Sequence, residues 1–303
     1  MEATSRWIVI TAIAPIAWGT NYYVTHEYLP AGHPLYGAAF RALPAGLLLL
    51  GLRPRLPSGS WWWKAPLLGL LNVASFFALI YYAAQLLPTS VASTVMATSP
   101  LALMLTAWAL VKERPHLPAL AGAAAGIAGV CLMLFAGTAG TRLNGVLASV
   151  AALVLSSLGY VLAKRWNTGT DVLATTSWQL IAGGLVLLPA ALLAEGAPPA
   201  LDTGAVLGFG YVAVVATALA FAVWFGGLSR LPAATVGLLG LLNPATGVLL
   251  GTLVAGESLT YRQLCGLLLV LTGVLLGLPR RGSSPATGGR FRRLGRGAVF
   301  GVR

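Results

Sequence analysis

Arg41 is the one charged side chain set well inside an apolar run of this 303-residue chain. The run from His33 to Leu52 carries no acidic residue to neutralise it. A guanidinium in such surroundings marks a functional position by default. Its fork of N–H groups can hold a carboxylate by two prongs. Equally, it can satisfy exposed helix carbonyls or snorkel along its own stem to an interface.

Neutral polar and aromatic groups recur at helical spacing. Thr11, Trp18, Asn21, Tyr22 and Thr25 share one stripe, and polar groups cost enough in lipid that such a stripe must face protein or a cavity. Trp18, Asn21 and Tyr22 are therefore expected to contact a substrate. Asn72, Ser75, Leu79 and Tyr82 fall within one narrow arc of a regular helix. An amide and a phenol on one face suit the charged ends of a zwitterion, and a ring suits an apolar side chain. Tyr160, Trp178 and Gln179, with Ser156, Ser157 and Thr175, are expected to form the opposite wall. Ser99 and Asn243 immediately precede Pro100 and Pro244. Each proline removes a backbone donor and breaks the helical ladder, so the polar neighbour is placed to satisfy a freed carbonyl or to face substrate. Plain interhelical hydrogen bonding is the alternative use of all these groups.

Absent groups narrow the chemistry. The acidic residues Glu2, Glu27, Glu113, Asp171, Glu195, Asp202 and Glu257 all fall at the ends of apolar runs or between them. No carboxylate stands ready for a mid-membrane proton relay, so facilitated transport, or coupling through another group, is expected. A Gly-rich phosphate loop ending in Lys-Ser/Thr is absent, which speaks against an ATP-driven pump. No Asp, His and Glu cluster suits an intramembrane lipid-modifying enzyme. Cys131 and Cys265 lie inside apolar runs with neither metal nor disulfide spacing. No catalytic residue, metal or cofactor is expected.

The elements that carry these residues follow from composition. Hydrophobic residues make up 57% of the chain and charged residues 9%, with a mean hydropathy of +0.83. A soluble domain carries about a quarter charged residues, so the fold class is all-α integral membrane. Ten spans are expected: Trp7–Thr25, His33–Leu52, Ala65–Leu86, Ser90–Val111, Leu117–Ala136, Gly145–Lys164, Val172–Ala194, Gly204–Leu228, Ala233–Ala255 and Tyr261–Leu278. Trp61, Trp62 and Trp63 beside Lys64 read as an interfacial aromatic belt.

The chain is also duplicated. Pro88, Pro100, Glu113, Gly122 and Gly129 recur as Pro232, Pro244, Glu257, Gly266 and Gly273, every pair 144 residues apart. Phe40-Arg41 aligns with Trp178-Gln179, and Ala45-Gly46 with Gly183-Gly184. Five spans per half is an odd number, so the second half must enter the membrane from the other side. The expected organisation is a first repeat at 1–136, a second, inverted repeat at 137–278 around a central cavity, and a basic, disordered tail at 279–303. Lys and Arg gather between alternate spans, which puts both termini in the cytoplasm. That asymmetry accounts for the net charge of +12 without a nucleic-acid partner. Glu113 and Glu257 then mark opposite mouths of one pathway.

Ala17-Trp18-Gly19, Arg41, Ser99-Pro100 with Glu113-Arg114, and Asn243-Pro244 with Gly256-Glu257 together resemble a doubled EamA repeat across about Trp7 to Leu278. The resemblance implies the drug/metabolite transporter superfamily, with ten helices in two inverted repeats. Within it, length and the aromatic content of the first and third spans are similar to bacterial YddG-type exporters. That implies export of aromatic and other neutral amino acids across the inner membrane. The chain is expected to act as a monomer in the bilayer, with a dimer as the alternative. Sugar phosphates or drugs are the alternative cargo. The resemblance favours a structural role for Arg41, and the duplication leads us to expect structural or gating roles for Pro100, Glu113, Pro244 and Glu257. Where this chain has Gln179, the repeat pattern has a second arginine.

Overall fold

A computed structural model describes residues 2–28, 30, 32–87, 95–134, 142–167, 169–254 and 260–278. Among them every regular element is helical. Helix α1 is Glu2–Tyr28 and α2 is Pro34–Leu52. Helix α3 (Trp61–Gly69) passes through a first π-turn (Leu70–Ala74) into α4 (Ser75–Leu86). Next come α5 (Ser99–Val111), α6 (Leu117–Leu134), α7 (Leu143–Trp166) and α8 (Val172–Glu195). Helix α9 (Thr203–Ala213) passes through a second π-turn (Val214–Leu219) into α10 (Ala220–Leu228). Helices α11 (Ala233–Leu239), α12 (Leu242–Leu253) and α13 (Tyr261–Gly277) complete the described chain. Among the described residues six helical stretches are long and apolar enough to cross a bilayer, and three shorter apolar helices accompany them.

Two expected spans are broken. A turn at 97–98 precedes α5, and Gly240 and Leu241 separate α11 from α12. Pro100 sits in the first turn of α5, where its missing N–H costs nothing, and Pro244 lies near the start of α12. Each proline therefore comes just after a break.

Small residues let backbones touch, which is how helices associate without a hydrophobic driving force. A side chain at Gly122 would strike the Gly273 carbonyl, and one at Gly129 would strike the Gly266 carbonyl. The partner glycines meet the same neighbours in reverse. Helices α6 and α13 thus cross antiparallel at two backbone contacts, and the repeated glycines join the two sequence halves. Helices α2 and α8 do the same: Gly46 lies against Ile181, and Gly184 against Leu43.

Polar ends are tied across the same partners. Helix α2 has no cap from its own N-cap side chain. The Glu195 carboxylate, at the end of α8, accepts from Leu35 N at 2.6 Å and Tyr36 N at 3.0 Å, and Tyr36 OH donates to Gly196 O at 2.6 Å. At the opposite end, Arg53 after α2 pairs with Asp171, which caps α8 by accepting from Leu173 N. Hydroxyls along the spans fold back on their own helix, as Thr11 does on Trp7 O and Thr176 on Val172 O.

Candidate functional site

The second π-turn is the hub of the interior. A π-turn shifts the hydrogen-bond register and releases carbonyls from the ladder. Ala216 O accepts from Trp18 Nε1 of α1 and from Arg41 Nη2 of α2, both at 3.1 Å. Arg41 Nε donates to Thr217 Oγ1 at 2.9 Å, and the guanidinium carbon stands 4.9 Å from the centre of the Phe77 ring. Rings extend the cluster. Trp18 lies 5.5 Å from Phe221 and 5.1 Å from Trp224, and Tyr160 lies 5.8 Å from Trp224 and 5.7 Å from Phe225, all at steep angles. Helices α1, α2, α4, α7 and α10 therefore meet on one aromatic surface with a cation at its edge.

The first π-turn makes the corresponding junction with different chemistry. It begins 144 residues before the second. Here Asn72 Nδ2 donates to Gln179 Oε1 at 2.9 Å, and Gln179 Nε2 donates to Thr175 O at 3.0 Å. Gly159 leaves room for the Asn72 amide. Asn72 and Gln179, expected on opposite walls, touch directly, with no open space between them at this level.

The expected arc of Asn72, Ser75, Leu79 and Tyr82 is drawn for an unbroken helix of 3.6 residues per turn; Asn72 lies in the first π-turn, and Ser75, Leu79 and Tyr82 follow it on α4. Asn72 is fully buried, Ser75 is half-buried and Tyr82 is 48% exposed. Trp178 makes its contacts near the α2–α3 connection. It is buried at the arginine-bearing end, donating from Nε1 to Arg55 O at 2.7 Å and packing 5.6 Å from Trp61. Trp61 is accordingly buried, while Trp62 and Trp63 are exposed. Ser99 is half-buried at the start of α5. The Tyr22 side chain and Glu257 lie outside the described residues.

Asn21 Oδ1, Asn72 Oδ1, Asn243 Oδ1, Ser149 Oγ and Trp224 Nε1 are buried without a hydrogen-bond partner. Such atoms are rare and each wants a guest or a water. Trp224, Phe221 and Phe225 were not singled out by their sequence pattern. The duplication carried the signal for Phe221, which aligns with Phe77.

Glu113 is anchored tightly. Lys112, at φ 61°, ends α5 in a left-handed turn, which swings Glu113 toward α7 and α11. Its Oε1 lies 2.5 Å from Lys164 Nζ, and its Oε2 accepts from Ala233 N at 2.8 Å. Lys164 Nζ also donates to Leu231 O at 2.7 Å. The side chains of Lys164 and Glu113 are 16% and 32% exposed, so water screens them less than a fully exposed surface pair. These bonds tie the end of α5 to the end of α7 and the start of α11. Beside them a void of about 10 Å³, room for roughly one water, is lined by Lys164, Gln179 and Phe225. A separate cleft of about 680 Å³ opens between Trp7, Arg55, Asp171 and Arg230. Among the described residues no group of His, Cys, Asp and Glu is placed to hold a metal.

Among the described residues, an all-helical, strongly apolar bundle with neutral polar groups and the Arg41 cation in its interior defines a polytopic membrane protein. The EamA-like transporter family matches residues 5–135 and, separately, 143–278, and the chain belongs to that family of membrane transporters. It is similar to Protein PecM of Dickeya dadantii (strain 3937), 36% identical over 265 residues that span 87% of this chain and 89% of that protein. It is 28% identical over 285 residues to a probable amino-acid metabolite efflux pump of Salmonella typhimurium, covering 88% of this chain and 93% of that one. It is 28% identical over 275 residues to the inner membrane transporter YedA of Escherichia coli (strain K12), covering 86% and 87%. A solved crystal structure superposes with a TM-score of 0.80 at 20% identity, over 90% of this chain and 96% of that chain. Transporters and efflux pumps, not enzymes, are its kin.

Proposed function

We propose that the chain is an inner-membrane secondary transporter that exports amino acids, aromatic and other neutral ones included, or closely related small metabolites by alternating access. The observation that carries this reading is the pair of reversed crossings, Gly122 with Gly273 and Gly129 with Gly266. Contacts that repeat with the partners exchanged are what two inverted five-helix repeats produce, 1–136 and 137–278, in a ten-span chain. Two such halves rock about fixed crossings and expose one interior site to each side in turn. The description of the Salmonella relative as an efflux pump supports an outward direction and an amino-acid cargo.

In this reading Trp18 and Tyr160 line the path, Asn21 and Asn243 offer acceptor oxygens, and Glu113 with Lys164 latches one mouth. Both termini and the 279–303 tail lie in the cytoplasm, and a monomer suffices. Proteoliposomes holding the chain should release labelled phenylalanine and threonine but retain a nucleotide sugar. Accumulation against a gradient on imposing a pH difference would overturn the facilitator form of the proposal, and absence of amino-acid flux would overturn its cargo. Trp18→Ala should lower flux at least tenfold; unchanged flux of every compound removes Trp18 from the path.

A further inference from the structure

We infer that Arg41 holds the anionic group of the cargo, so that the transported class is carboxylate-bearing metabolites with an apolar or aromatic body. The inference rests on the transporter reading above and adds a requirement to it. Arg41 lies in the interior of α2, the only charged residue of that helix. Among the described residues the ion pairs are Arg53 with Asp171 and Lys164 with Glu113, so no carboxylate there neutralises Arg41. Its Nε and Nη2 are engaged by Thr217 and Ala216. Among the described residues its hydrogen bonds run from Nε and Nη2, and Nη1 makes none. The Phe77 ring is then the nearest compensation for the charge, which in a membrane interior is costly to leave without a carboxylate.

The molecule contains its own control for the structural explanation. Gln179 is the aligned residue of the other half, and it makes the equivalent junction to the first π-turn through Asn72 without any charge. Joining a span to a π-turn is thus a task an amide performs. The positive charge at Arg41 has a different use, and a carboxylate is the group a guanidinium binds best. The neighbouring Phe77 and Trp18 rings offer an apolar surface for the rest of the cargo.

The test compares phenylalanine, phenylpyruvate and phenylalaninamide in proteoliposomes of the full chain. These share one ring, and the last lacks the carboxylate. Wild type should carry the first two at least tenfold faster than the amide at equal concentration. Arg41→Gln, which copies the residue of the other half, should lower acid flux tenfold or more relative to amide flux; Arg41→Lys should recover part of that ratio. Equal wild-type rates for acid and amide overturn this inference and leave the transporter reading standing. An unchanged acid-to-amide ratio in a folded Arg41→Gln protein overturns it too. Flux of none of the three overturns this inference and the amino-acid cargo together. Should Arg41→Gln fail to fold, the wild-type ratio decides alone.

Discussion

Asn72 and Gln179 form an amide pair whose loss should be felt on both sides. Asn72→Leu or Gln179→Leu leaves the partner with an unmet polar group, and membrane-embedded hydrogen bonds contribute about 0.6–1.7 kcal/mol. Each single variant should unfold at lower temperature, and the double variant should lose less than the sum, because it removes both groups at once. Additive losses would show that the 2.9 Å contact carries no coupling. The Glu113 and Lys164 pair makes a different kind of prediction. Lys164→Met leaves the carboxylate, among the described residues, bonded to Ala233 N, so the ends of α5, α7 and α11 should separate more readily. Leu228 lines the small void beside Lys164 and is 1% exposed. In a background lacking Cys131 and Cys265, a thiol in Leu228→Cys should label at least tenfold faster with Lys164→Met than without it. Equal rates would mean that the ion pair does not hold this mouth shut.

At the scale of elements, the glycine crossings decide more than any helix length. Gly122→Ala puts a methyl group onto the Gly273 carbonyl, and the obstacle is backbone, which cannot turn aside. Gly37→Ala in α2 meets nothing within 4 Å and serves as the matched control. The first variant should lower the unfolding temperature by several degrees, from a cost of about 1–3 kcal/mol for overpacking, and the control should be neutral or slightly stabilising. These crossings were legible in the sequence as repeated glycines, though not as contacts between halves. The helices themselves were legible because lipid demands long apolar runs with every backbone group paired inside. The π-turns were not. Leu70–Ala74 and Val214–Leu219 contain neither Gly nor Pro, and a change of hydrogen-bond register leaves no mark in composition. For the same reason the site was only half readable. Arg41 announced itself by its charge, but its acceptor is the carbonyl of Ala216, a group every residue possesses. The π-turn likewise sets Asn72 apart from Ser75 and Tyr82, which follow on α4, and no residue type foretold it.

For the whole molecule, the contacts at one end join many helix termini: α2 to α8 through Arg53, α5 to α7 and α11 through Glu113, α10 to α1 through Arg230 over the Trp7 ring at 4.0 Å. Lys64 adds to the same end among the Trp61, Trp63 and Trp166 rings. If this end faces the cytoplasm as proposed, reporters fused to either terminus should both be active there and inaccessible to protease added outside intact cells. Reporters active on opposite sides would break the ten-span count. The π-turns carry one more consequence. Each stores a surplus residue within a continuous helix. A one-residue shift of that surplus would turn the residue it passes by about 100°. We predict that such a shift into α10 swivels the Phe221 and Trp224 rings toward or away from Trp18. Removing Ala218 takes the slack out, and should leave a folded chain that still binds its cargo but turns over far more slowly.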